Sequence, residues 1–188
     1  MTRIIGGSAK GRRLKTPTGD RTRPTSDRVR EALFSALESE LGSLVGLRVL
    51  DLYAGSGAVG LEALSRGAAA ATLVESDRRT VATVVRPNAD TLGLPGADVL
   101  AAPVERALAG RPSAPYDVVF ADPPYLFADD DLATVLGLLV AHDWLTGTSV
   151  VVVERSKRSG EPPWPEGITG TKSKKYGETT LWWAAKGP

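Results

Sequence analysis

Cysteine is absent from the 188-residue chain, and histidine occurs once, at His142. Thiolate and imidazole side chains are the usual ligands of zinc, so we expect no structural or catalytic metal site. A chain of this length buries about 70% of its unfolded surface on folding, which stabilises a core without disulfides or metal. The composition, 42% hydrophobic and 24% charged, is that of an ordinary globular protein of one domain.

Long hydrophobic runs are also missing, because charged or polar residues interrupt every stretch of about 18 residues. The first residues, MTRIIGGSAKGRR, are charged and contain no apolar segment of the signal-peptide type. We therefore expect neither secretion nor membrane insertion, and the cytoplasm is the default location.

Positive and negative charges balance overall, with 23 Lys and Arg against 22 Asp and Glu, but they are unevenly distributed. Residues 1–30 contain nine basic and two acidic residues, so the remainder of the chain is acidic. A basic segment on an acidic body favours a polyanionic partner such as nucleic acid, because phosphates release counterions when they meet Lys and Arg. A solvated terminal segment would show the same charge, and the charge alone leaves both interpretations open.

Residues 1–24 are rich in Gly, Pro, Thr and Arg, which predicts a short hairpin or an arm that becomes ordered on binding. An amphipathic helix is predicted after Pro24, with Ser26 or Asp27 as its N-cap and an end near Gly42. Its apolar positions are Val29, Ala32, Leu33, Ala36 and Leu37.

From residue 47 onward, short apolar strands alternate with helical segments, which is the pattern of a parallel sheet built from βαβ units. The predicted strands are 47–52, 71–75, 98–101, 117–121 and 149–154, followed by an antiparallel hairpin of 169–176 and 179–185. The predicted helices are 58–66, one from residue 78 that breaks at Pro87, 104–109 and 132–140. These segments predict an α/β fold with a mixed, mostly parallel seven-stranded sheet and helices on both faces.

A glycine-rich turn, Asp51-Leu-Tyr-Ala-Gly55-Ser-Gly57-Ala-Val-Gly60, joins the first of these strands to its helix. Glycines at this G-x-G-x-x-G spacing let the backbone approach a ligand, and Glu75, at the end of the next strand, can accept hydrogen bonds from both hydroxyls of a ribose. A nucleoside-containing cofactor is therefore predicted, although a tight turn without a ligand has the same sequence.

Asp51 helps to decide between two such cofactors. Its carboxylate would face the pyrophosphate of NAD unfavourably, but it could accept a hydrogen bond from the ammonium group of S-adenosylmethionine. The turn therefore favours S-adenosylmethionine.

A second motif, Asp122-Pro123-Pro124-Tyr125, follows the strand 117–121. Because proline has no N–H group, this loop offers hydrogen-bond acceptors, namely the Asp122 carboxylate and backbone carbonyls, and Tyr125 can stack on a base. Such a site suits an exocyclic base amine, with Asp122 as the acceptor of its proton. An ordinary proline-rich turn capped by Asp122 is the alternative interpretation.

The two motifs together resemble those of class I S-adenosylmethionine-dependent amino-methyltransferases, which have a Rossmann-like fold. The segments Arg3-Ile-Ile-Gly-Gly, Gly11-Arg12-Arg13-Leu14 and 22–34 (TRPTSDRVREALF) further resemble the RsmD family of bacterial 16S rRNA guanine-N2 methyltransferases. The resemblance covers essentially the whole chain. It implies methyl transfer to the exocyclic N2 of a guanine, flipped into the pocket, in a partly assembled small ribosomal subunit.

The resemblance also implies roles for individual residues. Cofactor contacts are expected from Thr25, Asp51, Gly55, Gly57, Glu75 and Val104. Pro103, directly before Val104, stands where a polar side chain is expected near the adenine, so adenine recognition is left to backbone groups. Guanine contacts are expected from Asp122, Pro123 and Tyr125. The positive charge of the first residues, and not the resemblance, predicts phosphate contacts from Arg3, Lys10, Arg12, Arg13, Arg21 and Arg23. We expect a basic arm of residues 1–24 that precedes a methyltransferase domain of residues 25–188.

Three other functions remain as alternatives. A DNA adenine or cytosine N-methyltransferase shares both motifs, but the chain has no room for a separate target-recognition region. A nicotinamide-dependent oxidoreductase requires a substrate domain and a proton-relay residue that the sequence lacks, and a non-catalytic RNA-binding module needs no Asp122. We expect a monomer without metal.

Overall fold

The computed structural model describes residues 2–19 and 25–187. Within these ranges, the strands form a two-stranded sheet and a seven-stranded sheet. The strands are β1 (Thr2–Arg3), β2 (Arg13–Leu14), β3 (Arg48–Leu52), β4 (Ala70–Glu75), β5 (Ala97–Ala101), β6 (Tyr116–Ala121), β7 (Leu145–Ser156), β8 (Ile168–Tyr176) and β9 (Thr179–Lys186).

The large sheet has the strand order β5-β4-β3-β6-β7-β9-β8. Neighbouring strands from β5 to β7 are parallel, whereas β9 pairs antiparallel with both β7 and β8. The mixed, mostly parallel seven-stranded sheet predicted from the sequence is confirmed. Because the order reverses beside β3, the carboxyl ends of β3 and β6 open a crevice of the kind in which α/β proteins bind ligands.

The helices are α1 (Asp27–Leu41), α2 (Ala58–Ser65), α3 (Arg78–Thr80), α4 (Arg86–Leu92), α5 (Val104–Ala107) and α6 (Asp129–Ala141), and a π-helical turn (Val81–Val85) joins α3 to α4. The prediction for α1 is confirmed. Of the two candidate N-caps, Ser26 fills the position, since its hydroxyl accepts the Val29 N–H at 3.2 Å, and Gly42 ends the helix with φ 81°.

The helix that was predicted to break at Pro87 instead continues to Leu92, and this expectation was wrong. The π-helical turn directly before the proline shifts the hydrogen-bond register, so that the Arg86 N–H bonds to the Val81 carbonyl. Pro87 then occupies the first turn of α4, where a missing N–H leaves no bond unmade.

Several predicted boundaries also move. β7 begins at Leu145 and α6 at Asp129, so the acidic residues that were expected to precede α6 form its first turn, where they interact favourably with the helix dipole. α2 ends at Ser65 and α5 at Ala107, earlier than predicted, and Gly67 lies just beyond the Arg66 C-cap with φ 103°.

Alternating side chains of the large sheet pack into two apolar layers. In β7, Val150 and Val152 contact the layer that also contains α1, α2 and the N-terminal hairpin, while Val151 and Val153 contact the layer formed with α5 and α6. Helices therefore cover both faces of the sheet, as the sequence pattern predicts. No helix in the described ranges is long and apolar enough to cross a membrane.

The N-terminal segment forms a hairpin of β1 and β2 that is fixed to the carboxyl end of α2. Ser65 accepts two of its backbone N–H groups, from Ser8 at 2.7 Å and from Ala9 at 2.9 Å. Ile4 and Leu14 are fully buried in the same core as α1 and α2. Within residues 2–14, the structure shows the hairpin, one of the two conformations predicted for residues 1–24, and this hairpin shares the core of α1 and α2.

A buried ionic network of α1 and α2 side chains binds the backbone of the hairpin. Glu62 of α2 accepts the backbone N–H groups of Ile5 at 2.9 Å and Gly6 at 2.8 Å, and it is ion-paired with Arg30 of α1. Arg66 completes the network by bridging Glu62 and Glu38. The hairpin is thereby tied to two helices through one carboxylate.

Candidate active site

A cavity of about 1280 Å³ lies at the carboxyl ends of β3, β4, β6 and β7. The glycine-rich turn after β3 and the proline loop after β6 both form parts of its wall. Both motifs that the sequence analysis singled out thus face one cavity, which is large enough for a nucleoside-sized ligand and a base.

The glycines of the turn have separate structural roles. Gly55 has φ 60° and faces the cavity, where no atom lies within 4 Å of the position that a Cβ would take. Gly57 has φ 82° and starts α2, but the cavity-lining residues do not include it. Gly60 lets α2 pack on β4, since its Cβ would lie 2.0 Å from Leu73 Cδ2.

Asp51 lies buried in β3 below the turn, and its Oδ2 accepts the Gly60 N–H at 2.9 Å. Burial raises the pKa of this carboxyl to about 8, the Gly60 hydrogen bond opposes the rise, and the nearby Glu75 carboxylate adds to it. A cationic group in the cavity would stabilise the ionised form of Asp51.

Glu75 is held against the turn by two backbone groups. Its Oε1 accepts the Gly55 N–H at 3.0 Å, and its Oε2 accepts the Asp77 N–H at 2.8 Å. These bonds fix the carboxylate at the cavity wall, and each oxygen retains a lone pair for a ligand hydroxyl.

Tyr53 is a site residue that the sequence analysis missed. It has a left-handed backbone conformation, with φ 58°, and its ring contacts Phe127 edge-on at a centroid distance of 5.5 Å. Its hydroxyl is buried and makes no hydrogen bond to the described residues, and burial together with Glu105 and Asp131 raises its pKa. A buried polar atom without a partner at a cavity wall indicates a ligand contact.

The proline loop provides the rim of the cavity. The Pro124 carbonyl accepts the Phe127 N–H at 2.9 Å, which closes a turn and leaves Tyr125 and Leu126 exposed by 70% and 90%. Asp122 lies at the base of the loop, directly after β6. An exposed aromatic ring beside a carboxyl is an arrangement that can stack on a base while its amine is held.

Glu154 is a second residue that the sequence analysis missed. It lies in β7, the neighbour of β6, and the Thr25 hydroxyl lies 3.0 Å from its Oε2 and 3.4 Å from Asp122 Oδ2. Removal from water raises the pKa of both carboxyls, and Glu154 and Asp51 raise that of Asp122 further, while the Thr25 hydrogen bonds oppose both shifts.

The structure brings most of the predicted site residues together at the cavity wall. These residues are Thr25, Asp51, Gly55, Glu75, Val104, Asp122, Pro123 and Tyr125. Val104 lies at the start of α5 behind the Pro103 N-cap, as the sequence suggested. Arg155 and Arg158, which the sequence analysis did not consider, also line the cavity.

The predicted phosphate-contacting residues that the structure describes are not among those that line the cavity. Arg3, Lys10, Arg12 and Arg13 are exposed on the hairpin, where Arg3 lies 3.9 Å from Asp27 and Arg12 donates to the Thr91 carbonyl. Arg21 and Arg23 lie outside the described residues. Pro17 and Thr25 both line the cavity.

Asn88 links the chain just after β2, at Lys15, to the glycine-rich turn. Its side chain exchanges hydrogen bonds with the backbone of Lys15, at 2.8 and 3.0 Å, and donates to the Ser56 carbonyl at 2.9 Å. Because Asn88 is buried and satisfied on both sides, the chain leaving the hairpin is fixed relative to the turn.

The strand order, the glycine-rich turn and the cavity at the carboxyl ends of the strands define the Rossmann-like fold of a class I methyltransferase. Solved structures share it. The Escherichia coli protein yhhF is 37% identical, with a TM-score of 0.85 over 98% of this chain and 97% of that one. A hypothetical protein of Thermus thermophilus, TTHA0928, is 36% identical, with a TM-score of 0.78 over 97% and 98%.

Sequence comparisons show which family of methyltransferases the chain belongs to. The "Ribosomal RNA small subunit methyltransferase D" of Escherichia coli K12 is 41% identical over 163 residues, which are 87% of this chain and 79% of that protein. The protein of the same name from Haemophilus influenzae is 37% identical over 158 residues, which are 82% and 79%. The family model "Conserved hypothetical protein 95" matches residues 2–185, and the chain belongs to this family, the RsmD family of methyltransferases.

Proposed function

We propose that the protein transfers a methyl group from S-adenosylmethionine to the exocyclic N2 amine of a guanine in 16S rRNA. The observation that carries this proposal is the presence, in one cavity, of a glycine-rich turn with two acidic partners and a loop that offers acceptors to an amine. The relatives named as small-subunit rRNA methyltransferases support rRNA as the substrate.

The chemistry of the cavity wall fits S-adenosylmethionine. Asp51 is suited to the ammonium group, and Glu75 to the ribose hydroxyls. The Tyr53 hydroxyl, which has no partner among the described residues, is suited to a further polar group of the ligand. Val104 and the backbone beside it are suited to the adenine ring, and Thr25 and Gly55 complete the wall. When bound, the cofactor supplies an electrophilic methyl group carried by a positively charged sulfur.

The proline loop orients the amine of the target base. Asp122 and the Pro123 carbonyl accept its two N–H groups, which turns the nitrogen lone pair toward the methyl donor, and Tyr125 stacks on the base. Asp122 also receives the proton that the nitrogen loses once it is methylated. Tyr125 is exposed in the structure, so the base can reach it from outside.

The basic segment binds the RNA backbone. We assign phosphate contacts to Arg3, Lys10, Arg12, Arg13, Arg21 and Arg23 in an arm of residues 1–24, and the transfer reaction to residues 25–188. These contacts offset the cost of flipping a base, which is a few kcal/mol. The substrate would be a partly assembled small subunit in the cytoplasm, modified by a monomer.

The test is methyl transfer from labelled S-adenosylmethionine to small subunits, naked rRNA and duplex DNA that lack the modification. Wild type is compared with Asp122→Ala and with Asp98→Ala. The second variant is the matched control, because Asp98 is an exposed aspartate in β5. We expect label in N2-methylguanosine with wild type and the control, and its loss in Asp122→Ala. Label in methyladenine or methylcytosine of DNA, or no label in any substrate, would overturn the proposal.

A further inference from the structure

Thr25 places a single hydroxyl between two carboxyls of the cavity. Its Oγ1 lies 3.0 Å from Glu154 Oε2 and 3.4 Å from Asp122 Oδ2. A hydroxyl has one proton and can donate to only one of these oxygens, so the second contact is a hydrogen bond only when the other carboxyl donates to Thr25. The arrangement is therefore satisfied when the two carboxyls share one proton between them.

The surroundings of the pair favour retention of that proton. Asp122 and Glu154 extend from adjacent parallel strands, and the acids Asp51 and Glu75 line the same cavity. Glu178 also lines it, but its charge is balanced by an ion pair with Lys157. Two arginines of the described residues line this wall: Arg155 is ion-paired with Asp129 and donates to the Gly160 carbonyl, and Arg158 is exposed to solvent. Two carboxylates this close would repel each other if both were ionised, which favours one shared proton. A hydrogen bond from the Thr179 hydroxyl stabilises the ionised form of Glu154.

We propose that Asp122, Thr25 and Glu154 form a proton relay, in which Glu154 takes up the proton that Asp122 must release when the target amine binds. The relay rests on the proposed function, because it deepens the role of Asp122 in that reaction. Glu154 is a positioning residue that acts through Thr25 and Asp122.

In the free protein the proton resides on Asp122, whose carboxyl donates to Thr25 Oγ1, while Thr25 donates to the Glu154 carboxylate. An amine N–H needs an acceptor, so on binding the Asp122 proton moves to Thr25 as the Thr25 proton moves to Glu154. Two O–H bonds form and two break, and the negative charge moves from Glu154 to Asp122. After methyl transfer, the surplus proton on the nitrogen moves to the Asp122 carboxylate, and the pair then releases one proton to solvent.

The first test uses the protein without cofactor or RNA and follows the carboxyl carbons of Asp122 and Glu154 by NMR as pH is varied. We expect the two signals to move together, with one proton bound by the pair at neutral pH. In Thr25→Val the joint movement should be lost, whereas Thr25→Ser should restore it. Independent titration of the two carboxyls near their ordinary pKa values of about 4 in wild type would overturn the relay.

The second test separates turnover from binding. Glu154→Gln keeps the size of the side chain but cannot take up a proton, so kcat should fall about a hundredfold with little change in KM for RNA. Thr25→Val should lose a similar factor and Thr25→Ser should recover most of it. Glu166→Gln, an exposed residue, is the matched control. Wild-type turnover in Glu154→Gln or Thr25→Val would contradict the relay.

The two proposals fail in distinguishable ways. If wild type forms no N2-methylguanosine, the proposed function fails, and the NMR titration still reports whether the pair shares a proton. If wild type is active and Glu154→Gln is equally active, only the relay fails. Thermal unfolding of each variant identifies any that do not fold. If Glu154→Gln does not fold, the comparison of Thr25→Val with Thr25→Ser decides whether the relay operates.

Discussion

Arg30 and Glu62 form an ion pair in which neither side chain is exposed to solvent, with Arg30 Nε 3.2 Å from Glu62 Oε1. Glu62 also accepts the N–H groups of Ile5 and Gly6 and is paired with Arg66, so its carboxylate is surrounded by donors. Glu62 therefore joins α1, α2 and the hairpin through one carboxylate.

Glu62→Gln should therefore destabilise the protein strongly. Removing one member of a buried pair leaves the other charge without compensation, which costs about 3–5 kcal/mol. Glu38→Gln, at the half-exposed end of the same network, should cost less than about 1 kcal/mol. Urea unfolding followed by circular dichroism measures both, and equal losses in the two variants would contradict this account.

Gly60→Ala should destabilise the protein through overpacking. The added methyl would lie 2.0 Å from Leu73 Cδ2, and forcing it between α2 and β4 costs about 1–3 kcal/mol. Gly137→Ala in α6 is the control, because its methyl would meet no atom within 4 Å and alanine favours the helix by about 0.5–1 kcal/mol. Opposite signs for the two changes in unfolding free energy are expected.

Binding of S-adenosylmethionine should strengthen as pH rises from 6 to 8. Because burial raises the pKa of Asp51 to about 8, this carboxyl is mostly neutral at pH 6 and must ionise to accept a hydrogen bond from the ammonium group. Affinity measured by calorimetry should rise up to about tenfold per pH unit below that pKa. Asp51→Asn should abolish this dependence.

The control for that experiment is methylthioadenosine, which lacks the amino-acid part of the cofactor. Its affinity should change little with pH in either protein. A pH dependence that survives in Asp51→Asn would assign the effect to another group.

Thermal stability should fall as pH rises from about 4 to 8. The pKa values of Asp51, Asp122 and Glu154 are raised in the folded state, so within this window the folded protein binds more protons than the unfolded chain. Stability then has a negative slope with pH and is greatest near the unfolded pKa values. Asp122→Asn should make the midpoint temperature less sensitive to pH, and an unchanged slope would contradict the raised pKa of this residue.

Removing the positive charges of the hairpin should weaken RNA binding without changing the affinity for the cofactor. Replacing Arg3, Lys10, Arg12 and Arg13 by Ser should reduce RNA affinity and flatten its salt dependence, by about 0.7 in the log–log slope for each phosphate that the protein no longer neutralises. Arg111→Ser, in the loop before β6, should change neither. Equal loss of RNA and cofactor binding would show that these residues support the fold rather than bind phosphate.

The sequence was sufficient to predict features that depend on local spacing. The Gly55 turn, the acid at Glu75 and the Asp122 loop each follow an apolar strand, and parallel strands bring their carboxyl ends to one edge of the sheet. Glu154 also follows that rule, but its importance depends on which strand lies beside β6. Strand order is a long-range property, and the spacing of residues along the chain does not contain it.

Two other features were missed for reasons of backbone geometry. Tyr53 lines the cavity from a left-handed backbone conformation, which non-glycine residues rarely adopt. Pro87 continues a helix because a π-helical turn precedes it, and such turns have no dependable sequence signal.

The short helix α2 has consequences for how a target nucleotide would be chosen. Its first residue follows the glycine-rich turn at the cavity wall, and its last residue, Ser65, accepts hydrogen bonds from the basic hairpin. Eight residues of α-helix span about 12 Å, and the hydrogen bonds of Glu62 and Asn88 fix the N-terminal segment to this helix and to the turn. In the proposed reaction, the protein therefore selects a guanine by its distance from neighbouring phosphates, which makes the three-dimensional shape of the RNA part of the recognition code.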